Sequence, residues 1–264
     1  MIVKSRLRFI ALATLLPASS ATAAITLYAE YHLGETGSLG ANNRPLDSSG
    51  NGRNWGNEIS GSTATVGSAG AYAAASTAYL NTAGAGNEGW YSSGLFTTLP
   101  TDNFAFGVFA RAAANTSGTQ GDMFALGGNN GAFKLSLAAN GWAASSHNVN
   151  WIAGTDGIAG SFAADTWVHL ALIRSGGITT FYINGSAQGS TFAGAPVNDT
   201  PHISVNPGGT TYFDGQIDEA RVVTFTSGES PTNVLNTLQG VPEPAISLLG
   251  GLGLLGLLRR RRVS

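Results

Sequence analysis

The chain contains no cysteine, which excludes disulfides, thiolate catalysis and cysteine-ligated metals. This absence carries no information about redox compartment. An all-β domain of roughly 200–250 residues buries on the order of 70% of its unfolded surface without covalent staples. Charge is also scarce. Only 11% of the residues are Asp, Glu, Lys or Arg, and most of the basic ones sit at the two ends. Between Ile25 and Gly240 there are six Lys and Arg against fourteen Asp and Glu, a net charge of −8 that the whole-chain value of −2 hides. A body of that sign lacks the basic footprint that nucleic-acid binding requires. The four histidines, His32, His147, His169 and His202, are scattered with no i,i+4 pair, so zinc has no support. No Gly-x-Ser-x-Gly elbow is present, and no glycine cluster has the strand-before, helix-after setting of a phosphate loop.

What the chain does have is glycine, 37 residues of it, punctuating short apolar runs. The clearest such stretch is Trp167 to Gly189. An eight-residue apolar run, too short for a confident helix, is followed by Ser175-Gly176-Gly177, which has turn chemistry. A second run, Ile178 to Asn184, returns antiparallel, and Asn184-Gly185 turns into a third strand. Side chains alternate along a strand. Trp167, His169, Ala171 and Ile173 therefore share one face, and Val168, Leu170, Leu172 and Arg174 the other. Both are mostly apolar, so this strand is central and covered on both sides. Further strands are predicted over 26–33, 103–111, 123–126, 133–138, 141–145, 202–205 and 212–224. Many short strands separated by turn residues indicate a sandwich or jelly roll. One helix is predicted, with Ser230 as N-cap, Pro231 at the first helical position, and Val234, Leu235 and Leu238 on one face.

Both ends read as addresses. Residues 1–23 have the form of a secretory signal peptide: Lys4, Arg6 and Arg8, then an apolar core from Phe9 to Leu16, then Ala21-Thr22-Ala23 as a small-x-small cleavage pattern for signal peptidase. At the other end, Pro242-Glu243-Pro244 separates the domain from Ala245 to Leu258, fourteen residues without charge. Arg259, Arg260, Arg261 and Arg262 follow, and basic residues of this kind stay on the cytoplasmic side of a membrane. The division expected is 1–23 signal, 24–240 domain and 241–264 tail.

Two resemblances follow from these residues. Trp-x-His-x-Ala-Leu-x-Arg from Trp167, with Phe181-Tyr182-Ile183-Asn184-Gly185, resembles the central hairpin of laminin-G-like domains of the concanavalin A-like lectin/glucanase superfamily. Asp47-Ser48-Ser49-Gly50-Asn51-Gly52 and Gly215-Gln216-Ile217-Asp218-Glu219-Ala220-Arg221 look like that family's opening loop and closing strand. The implied fold is an all-β jelly-roll sandwich of two antiparallel sheets with one short C-terminal helix. The Pro-Glu-Pro tail, with its apolar, transmembrane-like helix and terminal arginines, resembles the PEP-CTERM sorting signal of Gram-negative bacteria. That resemblance implies processing by an exosortase-type enzyme, transient anchoring in the inner membrane, and residence in the outer envelope or matrix of a cell that makes exopolysaccharide.

The laminin-G resemblance also bears on ligands. Many such relatives bind one calcium ion, and Asp47, Asn51 and Asp218, with Ser48, offer hard oxygen ligands. The competing reading, which is favoured, has Asp47 bonding its own turn backbone and Asp218 pairing with Arg221 or a backbone group. Among the loop aromatics Trp55, Trp90, Tyr91, Trp142 and Trp151, the pair Trp142 and Trp151 flank the polar stretch 145–150 and form the predicted ligand rim. Glycoside hydrolases in this superfamily use paired carboxylates. Here Asp214 and Asp218, four residues apart, stand about 13 Å from one another along a strand. That is too far for the retaining spacing of about 5–5.5 Å or the inverting one of about 6.5–9.5 Å. The expectation is a secreted, non-enzymatic envelope or matrix protein that binds carbohydrate or matrix. The alternatives are a structural matrix protein without a ligand site and a glycoside hydrolase-like enzyme.

Overall fold

The computed structural model describes residues 24–58, 64–68, 76–82, 88–113, 121–128, 132–146, 150–152, 156–192 and 200–241. The signal segment 1–23, the sorting residues Pro242, Glu243 and Pro244, the apolar run and Arg259 to Arg262 lie outside them, as does His147. Among the described residues no helix is long and apolar enough to cross a membrane.

Fifteen strands, one short 3-10 turn (Ala41–Asn43) and one α-helix follow one another along the described chain. The strands and the α-helix are β1 (Ile25–Tyr31), β2 (Asn57–Glu58), β3 (Thr65–Gly67), β4 (Tyr79–Asn81), β5 (Trp90–Tyr91), β6 (Phe104–Arg111), β7 (Gly121–Leu126), β8 (Phe133–Ala138), β9 (Gly141–Ser146), β10 (Asn150–Ile152), β11 (Val168–Ser175), β12 (Ile178–Ile183), β13 (Ser186–Phe192), β14 (Pro201–Ile203), β15 (Gln216–Phe225) and α1 (Pro231–Leu238). They form two antiparallel sheets. The larger runs β13-β12-β11-β6-β15-β4-β3, with β1 also paired to β15, and the smaller runs β10-β9-β8-β7-β14-β5-β2.

The predicted meander is present as β11, β12 and β13. Asn184 and Gly185 both take positive φ, 48° and 80°, as a two-residue hairpin turn requires. The two faces of β11 are covered as its alternation implies. Val168, Leu170 and Leu172 enter the core between the sheets. Ala171 and Ile173 lie on the outer face beneath Val234, Leu235 and Leu238 of α1. Ser230 caps that helix, its Oγ accepting from the Asn233 N–H at 3.1 Å. Between the sheets, Phe106 meets Phe124 edge-on at 5.2 Å and Phe104 meets Phe133 at 5.5 Å. Burying each such ring contributes roughly 1.5–3 kcal/mol.

Sequence alternation fails at β1. The register with β15 slips between Leu27 and Ala29, so a bulge at Tyr28 reverses the faces. Ala29 and Tyr31 join the inner core, while Ile25 and Leu27 pack on the α1 side. The short strands β5 and β10 also lie where the sequence reads as loop.

Candidate functional site

Cross-strand pairing sets one continuous row across the smaller sheet. Trp151 on β10 pairs with Ser145 on β9, Ser145 with Lys134 on β8, and Lys134 with Ala125 on β7. Ala125 pairs with His202 on β14 and His202 with Tyr91 on β5. Directly paired residues point to one face. Their strand neighbours Ile152, Ala144, Leu135, Phe124, Ile203 and Trp90 all belong to the inner core, so the row faces outward. Five strand spacings carry it about 24 Å from Trp151 to Tyr91.

The row is aromatic at its ends, and its middle residues, Ser145, Lys134, Ala125 and His202, are all buried. Trp151 and Tyr91 are half-buried. Tyr91 stacks on the His202 ring, centroids 6.1 Å apart and planes 17° from parallel. Lys134, 8% exposed, lies 3.5 Å from the fully buried Asp122, whose other oxygen accepts from Ser136 Oγ at 2.6 Å. Burial pushes the Asp122 carboxyl up, opposed by the Lys134 ammonium and Ser136. Burial also pushes His202 down to about 4, although its bond to the Thr200 carbonyl acts the other way. His202 is therefore a neutral ring at physiological pH.

Of the predicted rim residues, only Trp151 belongs to this row. Trp142 pairs with Leu137 and is fully buried in the core, so it offers no face to a ligand. Trp55 and Trp90 are core residues too. Strand parity separates Trp142 from Trp151, and it becomes readable only once β10 is known to pair with β9. Tyr91, on the two-residue β5, carries no strand signal of its own.

Asp47 and Asn51 serve another purpose. Asp47 Oδ1 accepts from the backbone N–H groups of Glu30 and Ser49 at 3.1 and 3.0 Å, and Oδ2 accepts from Arg53 N–H at 2.9 Å. Asn51 Nδ2 donates to the carbonyls of Leu27 and Tyr28 at 3.0 and 3.1 Å. The loop thus satisfies groups on β1, standing in for a neighbouring strand along that edge. Burial would raise the Asp47 carboxyl, but the bonds from Ser49, Arg53 and Glu30 outweigh it and hold its pKa low. Asp218 lies elsewhere, within a second cluster, and neither of the acidic triads there includes Asp47.

That cluster forms because β15 bulges. Glu219 takes a left-handed φ of 49° and the register with β6 slips between Asp218 and Arg221. Asp218 and Glu219, which a regular strand would send to opposite faces, instead have carboxylate oxygens within 4.8 Å of one another and of Glu35. Glu219 bonds His32 Nδ1 at 2.8 Å and pairs with Arg221. Arg221 also donates to Glu30 Oε1 at 2.7 Å and to the Leu238 carbonyl at 3.0 Å. The hydrogen bond to the Glu219 carboxylate raises the His32 pKa against the effect of burial. Asp214, by contrast, is exposed in the turn before β15, so it does not share a site with the buried Asp218.

Two antiparallel sheets with an outward aromatic row on one and a helix on the other make up a jelly-roll sandwich of the lectin type. The laminin G model of the concanavalin A-like lectin/glucanases superfamily matches residues 85–227, and the chain belongs to that superfamily. Among solved structures, it is similar to domain 4 of AbnA, a GH43 extracellular arabinanase from Geobacillus stearothermophilus determined in complex with arabinotriose. The identity is 20% and the TM-score 0.57, over 81% of this chain and 98% of that one. It is also similar to the receptor-binding domain of botulinum neurotoxin type G, at 15% identity and TM-score 0.52. The binding domain of Paraclostridial Mosquitocidal Protein 1 matches at 15% identity and TM-score 0.53. The chain spans about half the length of these two, 51% and 52%, with 81% of itself aligned. At these identities the likeness is one of fold. No curated protein sequence matches the chain.

Proposed function

We propose that the chain is an exported, non-enzymatic carbohydrate-binding protein whose ligand lies along the outer face of the smaller sheet. The observation that carries this reading is the row from Trp151 to Tyr91, which places a half-buried aromatic at each end; Ser145, Lys134, Ala125 and His202 between them are buried, so ligand contact falls to the two aromatics. The row's length of about 24 Å suits an extended polymer, and aromatic faces hold sugars without needing charge complementarity. The arabinotriose complex of the similar arabinanase domain supports saccharide as the ligand class. Affinity electrophoresis against the producing cell's own exopolysaccharide tests it. Retardation of the full chain is expected to weaken about tenfold in Kd with Trp151→Ala or Tyr91→Ala, a loss near 1.4 kcal/mol. Ile178→Ser, at an exposed position on the larger sheet, should leave it unchanged. If neither aromatic variant alters migration, the structural matrix reading takes its place.

Export and sorting complete the proposal. The N-terminal segment directs secretion and the Pro242-Glu243-Pro244 tail is removed at the cell envelope by an exosortase-type enzyme. Mass spectrometry of the mature protein should show the loss of Arg259 to Arg262. A mature chain ending at Ser264 would reduce the tail to a simple anchor.

A further inference from the structure

The buried pair Lys134 and Asp122 carries chemistry that carbohydrate binding does not use. Both residues lie on the outer face of the smaller sheet, on the neighbouring strands β8 and β7. Lys134 and Ser136 share that face because they are two residues apart, and Leu135 and Leu137 enter the inner core. Asp122 reaches the same face through a bulge. Ala125 pairs with Lys134 and Asp122 with Ser136, and the register slips between Asp122 and Phe124. In a regular strand, residues 122 and 125 would point to opposite faces. The extra residue, Met123, turns into the core and leaves Asp122 aimed at Lys134.

Two observations separate this pair from an ordinary ion pair. First, it is sealed. Asp122 is 0% exposed and Lys134 8%. Beside Asp122, the chain at Tyr212 and Phe213 closes over Gly121, where a Cβ would lie 3.0 Å from Phe213 Cα. Second, it is poorly bonded. Lys134 Nζ stands 3.5 Å from Asp122 Oδ2, against about 2.7–2.9 Å for a charge-assisted bond. Asp122 Oδ2 accepts no hydrogen bond and touches no solvent, whereas Oδ1 accepts from Ser136 Oγ at 2.6 Å. A buried ion pair offsets its desolvation only when its remaining protons and lone pairs are satisfied. Here a lone pair is left over, so the site favours the neutral pair, an amine beside a carboxylic acid. Burial moves the Asp122 carboxyl in that direction.

We infer that Lys134 Nζ and Asp122 Cγ become joined by an intramolecular amide bond, formed inside the folded domain with loss of one water. Passing a proton from Nζ to Oδ2 removes both charges. The amine lone pair then attacks Cγ, an Nζ–Cγ bond forms, and the carbonyl electron pair moves onto Oδ1. Ser136, which already donates to Oδ1, stabilises the charge developing there. Collapse restores the carbonyl and breaks the Cγ–Oδ2 bond. Oδ2 leaves as water, carrying the proton it has received and a second from Nζ. No oxidant or further reactant is needed. The two groups are held side by side by the sheet, which replaces a bimolecular encounter. The bond would fasten β7 to β8 in the middle of the smaller sheet, closing a loop of 12 residues (134 − 122).

Denaturing mass spectrometry of the full chain tests the inference. The wild-type chain is expected to weigh one water less than Lys134→Arg, after correction for the substitution. That variant keeps a positive charge opposite Asp122 but has no amine to attack Cγ. Proteolysis and tandem mass spectrometry should yield a branched peptide in which Lys134 is attached to Asp122. This step locates the bond, because imide formation at Asp156-Gly157 or Asp214-Gly215 also releases water but leaves linear peptides. Both Lys134→Arg and Asp122→Ala should keep the water and melt about 5–10 °C lower, the scale for losing a cross-link around a short loop. The branched peptide of the wild type decides the matter even where a variant folds poorly. A wild-type chain at full mass, or one yielding only linear peptides here, would overturn the assignment and leave Lys134 and Asp122 an ion pair. Loss of water retained in both variants would overturn it equally.

Discussion

Replacing Arg221 with methionine is expected to destabilise the domain by about 3–5 kcal/mol, because it strands two carboxylates that share one guanidinium. Arg221 is 4% exposed. It reaches Glu30 on β1, Glu219 on its own strand, and the last-turn carbonyl of Leu238 on α1, so one side chain joins three elements. Gly240, at φ +72°, lies against it, and a Cβ there would approach the guanidinium to 2.9 Å. The docking of the helix end is thus shaped to this group. Methionine retains the stem but no donor, leaving Glu219, 1% exposed, with His32 alone. Lysine should recover only part of the loss, since a point charge cannot serve Glu30, Glu219 and Leu238 in one plane. Urea unfolding at pH 7.5 measures both variants. A loss under about 1 kcal/mol for Arg221→Met, the scale of an exposed pair, would mean that the ionic junction contributes little.

Acid should unfold the protein well before its carboxylates titrate. His169 is 1% exposed, and its Nε2 has no hydrogen-bond partner among the described residues. Burial, reinforced by Arg221, pushes its pKa down to about 3, and His202 falls to about 4. The unfolded chain binds a proton at each near pH 6.5, whereas the folded chain does not. Stability from these two groups is therefore complete above pH 6.5 and lost as pH falls toward their folded values. At pH 4.5 each is expected to cost about 2–3 kcal/mol. His32 cannot offset this. Its pKa is raised, so its contribution is already complete below pH 6.5 and disappears only as pH rises through the folded value. Asp47, held low, loses its contribution only below the ordinary carboxylate range. Urea midpoints at pH 7.5, 6 and 4.5 should fall steeply, and His169→Phe should flatten the slope. A midpoint unchanged down to pH 4.5 would show that both rings take up protons in the folded state.

The strand and helix periods were largely legible because they are local. The β11–β12 hairpin, its Asn184-Gly185 turn and the Ser230-capped helix rest on φ preferences and side-chain alternation within a few residues. The aromatic row was legible only in part. Trp151 and Trp142 read alike in sequence, both flanking the same polar stretch. Pairing of β9 with β10 turns one outward and the other into the core.

What the sequence determined by itself is the class of fold and the composition of its surfaces, since period, turn chemistry and charge are properties of neighbouring residues. What the tertiary structure decided is which polar residues meet. Two single-residue bulges, at Tyr28 and at Glu219, shift register without changing composition. The first reverses the faces of β1. The second gathers Asp218 and Glu219 with Glu35 from 183 and 184 residues away in the chain. The Asp47 loop likewise reads as a ligand set in one dimension and becomes an edge cap in three. Carboxylate oxygens satisfy whichever donors the fold brings within 3 Å or so, and that choice is made by register, which no local pattern encodes.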